Sequence, residues 1–501
     1  MKKICFLSPP SRSNNHYRPP IALMYLAGYL EKNGFKTEIV DVILGDQVRD
    51  KEFFDNWSKK KKAIEKESLK RVRRASPDMV GITCYTPELF EVLDIARKIK
   101  GINKKIKVVV GGVHPTFYPN DFIYEGSPVD AVVLGEGEGP MLELAKKMDK
   151  RRLWSNIKSI GYWDEEKKQR MITDKMVPCQ DLDSLSCPAY HLVDMKYYTT
   201  ANPYAIRGVF TRCAYVLSSR GCPSSCTFCV SKRIREVSGG GSYIRFRSAE
   251  HLFKEVKKLK KEYKIDSFYF VDDLFGVNKN LVKDFCRLLR QSKLGLIWGC
   301  SSKVTALDYQ TLKMMRRAGC IQIDFGVERG SNQSLQVIKK GISVELIEKV
   351  FDDCHKLRIR TFANMLINLP GETDKDLEDI TSLLDRIRPT IVSINVFTPY
   401  PGTELFEQMA RKITKKEYAD SMKGMEILIK KQPRKYRFAA HKMDVVKWAK
   451  NNNRRYNRLW PTLLFHLSPV YLANLQKSER KRDYFERVIL LVREFINKKR
   501  S

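Results

Sequence analysis

Between Tyr215 and Phe397 short runs of β-branched and aromatic residues alternate six times with segments of helical period. Strands are expected at Tyr215 to Ser219, Ser267 to Val271, Ile297 to Ser301, Ile321 to Val327, Arg360 to Ile367 and Ile391 to Phe397. Helices are expected between them at Ala249 to Tyr263, Asn280 to Leu289, Leu307 to Arg317, Val344 to Leu357 and Asp374 to Arg386. Apolar strands separated by helices demand a parallel sheet, because a helical crossover returns the chain to the same end of its neighbour. Six units exceed an open Rossmann half and fall short of an eight-fold barrel. A partial (β/α)6 barrel is the expected fold.

Residues 1 to 150 repeat the pattern separately. Strands are expected at Lys3 to Ser8, Thr37 to Val42, Met79 to Tyr85, Ile106 to Gly111 and Ala131 to Leu134, with helices such as Ile21 to Lys32, Glu88 to Lys100 and Met141 to Lys150. Five alternations predict a doubly wound parallel sheet. The stretch Lys51 to Arg74, with ten Lys/Arg and four Asp/Glu, reads as a solvated helix. Residues 151 to 207 carry Pro178, Pro188 and Pro203, with short strand-like pieces around Ile160 to Trp163 and Met171 to Ile172, and read as a linker between domains; 208–425 form the central core and 426–501 a small, mainly helical C-terminal domain.

The chain has 501 residues and a formal net charge of +34. Half of that excess, +17, lies in residues 411–501, so an anionic partner must be weighed. The apolar stretch Leu459 to Leu472, flanked by Arg454, Arg455, Arg458 and Lys477, suits a core segment of a helical domain first and an anionic membrane surface second. Its Pro461, Pro469 and His466 make it a poor spanning helix, and no apolar run reaches the ~18 residues that a span requires. Ile4 to Pro9 is too short for a signal-peptide core. Twelve cysteines without export signals point to a reducing compartment and a metal or catalytic use for some thiols. The expected location is cytoplasmic, with a peripheral membrane position as the variant.

Cys222, Cys226 and Cys229 form a Cys-x3-Cys-x2-Cys run directly after a predicted strand. Three thiolates on one loop suit three irons of a four-iron cluster, and without a fourth thiolate one iron keeps an open position. Zinc is disfavoured, since it usually wants four ligands and the next histidine, His251, lies in a predicted helix.

With Phe228 before its third cysteine, the run resembles that of the radical S-adenosylmethionine superfamily. The resemblance covers about 208 to 425 and implies a 4Fe-4S cluster that chelates S-adenosylmethionine (SAM) and cleaves it to a 5′-deoxyadenosyl radical. It also implies a one-electron reductant such as flavodoxin or ferredoxin. The loop Val271-Asp272-Asp273-Leu274-Phe275 stands where many members carry Gly-Gly-Glu for the methionine amino group, so Asp272 or Asp273 is a candidate for that role, beside a helix-capping one. Glu328, in Gly326 to Ser331, is similar to the family's ribose contact, and Pro399 lies in the loop after the sixth strand. Leu369 to Thr373 is the corresponding loop after the fifth. All these segments follow strands, which gathers them at one face of a barrel.

Before this core, the strand ends of the first sheet carry Pro9 and Pro10, Thr83-Cys84-Tyr85, Gly111-Gly112-Val113-His114 and Gly135-Glu136-Gly137. No Gly-x-Gly-x-x-Gly follows the first strand, so a dinucleotide is not indicated. These segments, with Tyr25 to Leu30 on the first helix, resemble the cobalamin-binding domain of cobalamin-dependent radical enzymes. The candidate cofactor contacts are Pro9, Thr83, Tyr85, Gly111, Gly112, His114, Gly135, Glu136 and Gly137, with His114 as a support for the pocket. The Asp-x-His-x-x-Gly motif for an axial histidine is absent, and His16 lacks its context.

Together the two resemblances imply methylation of an unactivated carbon through a 5′-deoxyadenosyl radical and methylcobalamin. The substrate is a small or lipid-like molecule that the sequence does not identify. The alternative is radical oxidation or ring formation, as in the anaerobic magnesium-protoporphyrin ester cyclase branch. A methylthiotransferase is disfavoured, because the first 150 residues hold only Cys5 and Cys84. A basic nucleic-acid-binding or membrane-docking protein with a vestigial core is a third reading. The intact cysteine run weighs against it, and nucleic acid is not an expected partner. No catalytic base is assigned.

Overall fold

The computed structural model describes residues 2–10, 18–43, 57–409, 436–457, 459–482, 484–486 and 489. The chain divides into two units. One gathers Met1–Asp194, Phe228–Tyr243 and Pro399–Gly424; the other gathers Met195–Thr227, Ile244–Thr398 and Met425–Ser501. Among the described residues no helix is long and apolar enough to cross a membrane. His16 lies outside the described residues.

In the first unit the strands are β1 (Lys3–Leu7), β2 (Lys36–Val40), β3 (Met79–Thr83), β4 (Lys107–Gly111), β5 (Ala131–Val133), β6 (Ile160–Asp164) and β7 (Gln169–Ile172), in the order β2-β1-β3-β4-β5-β6-β7. The first five are parallel. Their Val- and Ile-rich runs are buried, as in a sheet covered on both faces. The order reverses between β1 and β3, so the crevice beyond these two strand ends is where such a sheet takes a ligand. The basic stretch forms the helix Trp57–Ala75.

The segment read as a linker does more than connect. β6 and β7 form an antiparallel hairpin that extends the parallel sheet from β5. β5 is only three residues long, and Gly161 permits the pairing, since a Cβ there would stand 2.5 Å from Ile123 Cδ1. The strand-like pieces at Ile160 to Trp163 and Met171 to Ile172 are the expected ones; their pairing with β5 is what the proline-rich composition did not show.

In the second unit β8 (Cys213–Val216), β11 (Ser267–Phe270), β12 (Ile297–Ser302), β13 (Cys320–Glu328), β14 (Arg360–Ile367) and β15 (Ile391–Val396) form a six-stranded parallel sheet in chain order. A two-stranded antiparallel ribbon, β9 (Ser219–Arg220) with β10 (Arg245–Phe246), stands beside the cysteine loop. The sheet ends on β8 and β15, as the partial-barrel expectation requires. Its helices start on caps written into the sequence: Ser248, Asn278, Asp308 and Ser343 each accept a hydrogen bond from a first-turn N–H.

The described C-terminal helices belong to this second unit. From the helix Val445–Tyr456 and the residue after it, Asn453 and Asn457 grip the open edge of β15. Each side chain accepts the backbone N–H and donates to the carbonyl of one strand residue, Ile394 for Asn453 and Val392 for Asn457, at 2.8–3.0 Å. The pairs occupy hydrogen-bonding groups that an edge strand otherwise exposes. At the N-terminal end of the sheet, Tyr484 and Ser478 donate hydroxyls to the buried carboxylate of Asp266 at 2.8 and 2.9 Å, and Asn474 donates to the Asp266 carbonyl. Asn474, Ser478 and Tyr484 thus cover the end of the sheet away from the loops that follow its strands, while the helix Val445–Tyr456 covers its edge.

Candidate active site

At the carboxyl edge of the first sheet, Pro9 and Pro10 are buried just after β1, Thr83 ends β3 half-buried, and Tyr85 is 53% exposed. Gly111 ends β4. Gly112 has φ +109°, and a Cβ there would lie 2.9 Å from the Cys84 carbonyl, so a side chain would push β3 and β4 apart. Thr116 joins two of these loops: its hydroxyl donates to the Gly112 carbonyl at 2.7 Å and accepts the Gly135 N–H at 2.9 Å. Gly135 has φ +81°, and nothing lies within 4 Å of where its Cβ would project. Gly137 sits against Leu26, only 2.9 Å from its would-be Cβ, and Glu136 is half-buried between the two glycines.

His114 is buried behind these loops. Nδ1 lies 2.9 Å from Thr86 Oγ1 and Nε2 3.1 Å from Asp121 Oδ2, while Tyr118 and Phe122 flank the ring. Both ring nitrogens are engaged, and the residue braces the loop from inside. Beside the end of β5 a cavity of about 260 Å3 is walled by Tyr29, Gly135, Glu136, Glu138, Met176 and Cys179.

In the second unit Cys222 is half-buried and Cys226 buried in the loop after the β9 strand. The backbone of that loop is tied down at Thr227, whose N–H donates to the Ile338 carbonyl at 3.1 Å. Cys229 and Phe228, assigned to the first unit, are half-buried, and Cys229 Sγ lies 3.5 Å from Ser231 Oγ. Among the described residues no three Cys, His, Asp or Glu side chains are gathered closely enough to hold a metal ion.

Asp272 is occupied by its own neighbours. Oδ1 accepts the Ser218 N–H at 3.0 Å, the Ser218 hydroxyl at 2.7 Å and the Ser219 hydroxyl at 2.5 Å. Burial raises its pKa, and the Ser219 and Ser218 donors oppose that rise. The candidate role of Asp272 in holding an amino group is thus displaced by one in holding the chain between β8 and β9. Asp273 is an exposed residue; desolvation of its carboxyl by the surrounding protein raises the pKa, and the Gly221 N–H of the cysteine loop lowers it.

Glu328 closes β13 at φ +70° and pairs with Lys340 at 3.0 Å. Gly326 makes room for the pair, since a Cβ there would fall 2.5 Å from Glu328 Oε1 and 2.7 Å from Lys340 Nζ. Beyond β14, Glu372 accepts the Asn368 N–H at 2.8 Å and His441 at 2.9 Å, and it pairs with Arg329. Pro399 is buried in the loop after β15, in the first unit. Three participants escaped the sequence reading: Lys303, directly after β12, and the serine pair at 218 and 219. The rule that picked out the other strand ends applies to Lys303 as well.

These residues fit the groups that such domains carry. Soft thiols in a three-cysteine loop are iron-sulfur donors. Glycines with positive φ at strand ends, one facing open space, leave flat backbone against which a broad cofactor can lie.

Residues 15–145 match the B12 binding domain and residues 216–384 the Radical SAM superfamily. The chain is 29% identical over 411 residues to an uncharacterized methyltransferase of Pyrococcus horikoshii, across 81% of this chain and 82% of that one. It is 26% identical over 401 residues to an anaerobic magnesium-protoporphyrin IX monomethyl ester cyclase of Rubrivivax gelatinosus, across 79% and 67%. Its fold is similar to that of the radical SAM methyltransferase TsrM of Kitasatospora setae, solved with tryptophan and a SAM analogue, with TM-score 0.63, 19% identity and coverage of 82% and 76%. The cofactors of the two domains are a 4Fe-4S cluster with SAM, and cobalamin. A B12 binding domain followed in one chain by a radical SAM domain makes this protein a radical SAM enzyme of the cobalamin-dependent family.

Proposed function

We propose that the chain methylates an unactivated carbon of a small-molecule substrate. The observation that carries this reading is the pairing of the two domains in one chain, matched over four-fifths of its length by a relative named a methyltransferase. When bound, the cluster, SAM and cobalamin supply the electron transfer, radical generation and methyl transfer that side chains cannot.

This chain's residues bind and orient. Cys222, Cys226 and Cys229 hold the cluster, with Phe228 beside the third. Asp273 accepts the methionine ammonium, while Asp272 keeps the preceding turn in place. Glu328, its one oxygen held by Lys340, turns the other toward a ribose hydroxyl, and Pro399 shapes the wall. Pro9, Thr83, Tyr85, Gly111, Gly112, Gly135, Glu136 and Gly137 form the cobalamin cradle, with His114 as its internal brace. The cavity beside Glu136 is smaller than the ~300–1,000 Å3 of whole-ligand sites and takes only an edge of that cofactor. Radical SAM enzymes draw on a reductant; flavodoxin or ferredoxin is the proposed donor.

The test is product analysis after anaerobic reconstitution. Methylation gives a product heavier by CH2, with 5′-deoxyadenosine and S-adenosylhomocysteine formed together. Deoxyadenosine without S-adenosylhomocysteine supports oxidative cyclisation instead, the second reading, which the similarity to the Rubrivivax cyclase favours.

We place the protein in the cytoplasm, resting peripherally on anionic membrane. Leu463, Leu464, Leu467 and Leu472 are 43–71% exposed beside Lys477, Arg480, Lys481 and Arg482. Sedimentation of the full chain with vesicles of anionic, but not of neutral, phospholipid supports this. Equal recovery with both kinds, or with neither, rules it out.

A further inference from the structure

A cation beside the cysteine loop lacks a carboxylate partner. Lys303 is half-buried directly after β12, and its Nζ donates to Ser224 Oγ at 3.1 Å, between Cys222 and Cys226 in sequence. Among the described residues it forms no ion pair. The neighbouring Lys340, by contrast, pairs with Glu328 at 3.0 Å. Burial lowers the Lys303 pKa; Cys226 and Cys222 raise it and the charge of Lys340 lowers it. An ammonium held out of water needs a counter-charge, which a cluster on the neighbouring cysteines would carry.

We propose that Lys303 is a positioning residue that supplies the counter-charge of the cluster on Cys222 and Cys226 and makes its one-electron reduction easier. The inference rests on the cluster assignment above. Reduction adds one electron, taken from the external donor, and hence one negative charge to a group already bound by three thiolates; no bond is made or broken. A fixed positive charge close by favours the reduced form. The hydrogen bond to Ser224 fixes where that charge sits.

The test is a mediated redox titration, read by electron paramagnetic resonance, of the full chain reconstituted anaerobically with iron and sulfide and without SAM. A wild-type chain that carries no such cluster defeats the cluster assignment itself. With four irons bound, Lys303→Met lowers the equilibrium constant for reduction about tenfold, a negative shift of about 59 mV for a one-electron couple. Lys303→Arg, which keeps the charge, stays near wild type. Ser224→Ala, which keeps the charge and frees its position, falls between. A potential unchanged in Lys303→Met at full iron content overturns the proposal. So does an equal shift in Lys303→Arg, because the residue then acts by shape alone. If Lys303→Met takes up too little iron to titrate, Lys303→Gln and the arginine variant decide the same question.

Discussion

The carboxylate of Asp272, at the end of β11, accepts both the backbone N–H and the hydroxyl of Ser218, beyond the end of β8, at 3.0 and 2.7 Å. One buried group thus joins adjacent strand ends immediately before the cysteine loop. Asp272→Asn turns an acceptor of several donors into a group that must itself donate. Loss of these charge-assisted bonds is expected to cost about 1.5–3 kcal/mol, measured by urea unfolding of the apo chain. Cluster loading falls with it. Asp273→Asn leaves stability near wild type and weakens SAM binding, measured by equilibrium dialysis with the loaded protein.

The two cradle glycines share a positive φ and differ in crowding. Gly112→Ala places a methyl 2.9 Å from the Cys84 carbonyl at φ +109° and is expected to cost ~1–3 kcal/mol of stability. Gly135→Ala carries the backbone strain of φ +81° but meets no protein atom within 4 Å, so its folding cost is the smaller of the two. Its methyl points where the cobalamin would lie. Hydroxocobalamin titration is expected to show weaker binding for both variants, and thermal unfolding a larger loss for Gly112→Ala than for Gly135→Ala.

Asp308 caps the helix Tyr309–Arg317 and pairs with Lys279, which holds its pKa down at about 2. A carboxyl depressed on folding stabilises the protein above its unfolded value near 3.9, and that stability drains as pH falls toward about 2. Asp308→Ala is expected to cost ~1 kcal/mol at neutral pH. The exposed ion pair adds little to that. Urea midpoints of variant and wild type should converge as the pH is lowered below 4, wherever both remain folded.

Asn453 and Asn457 each satisfy two backbone groups of the β15 edge. Either alanine variant is expected to lose ~1–2 kcal/mol. The double variant also exposes a strand edge, and light scattering should show it aggregating where each single variant stays dispersed.

The repeating elements were legible because their signals are local. Arg360 to Ile367 is a strand as expected, and Ala249 to Tyr263 a helix, since buried strands and amphipathic helices announce themselves by period and cap. The three cysteines stood out by spacing. What escaped depends on partners far along the chain. Asp272 could not be separated from Asp273 without knowing that Ser218, 54 residues earlier, meets it. Lys303 gains its interest only from Ser224, 79 residues away. The strand-like pieces of the β6–β7 hairpin were legible, but their place in the first sheet was not, because edge strands facing solvent carry mixed composition, as Gln169, Arg170 and Met171 do.

Every role proposed for the second unit depends on three cysteines that hold a four-iron cluster with one iron open to SAM. The decisive measurement is electron paramagnetic resonance of the anaerobically reconstituted, reduced full chain, with SAM added to one half of the sample. A 4Fe-4S signal that changes shape when SAM is added and vanishes in Cys226→Ala is expected. A zinc-filled protein without that signal, or a signal indifferent to SAM, would overturn the assignment.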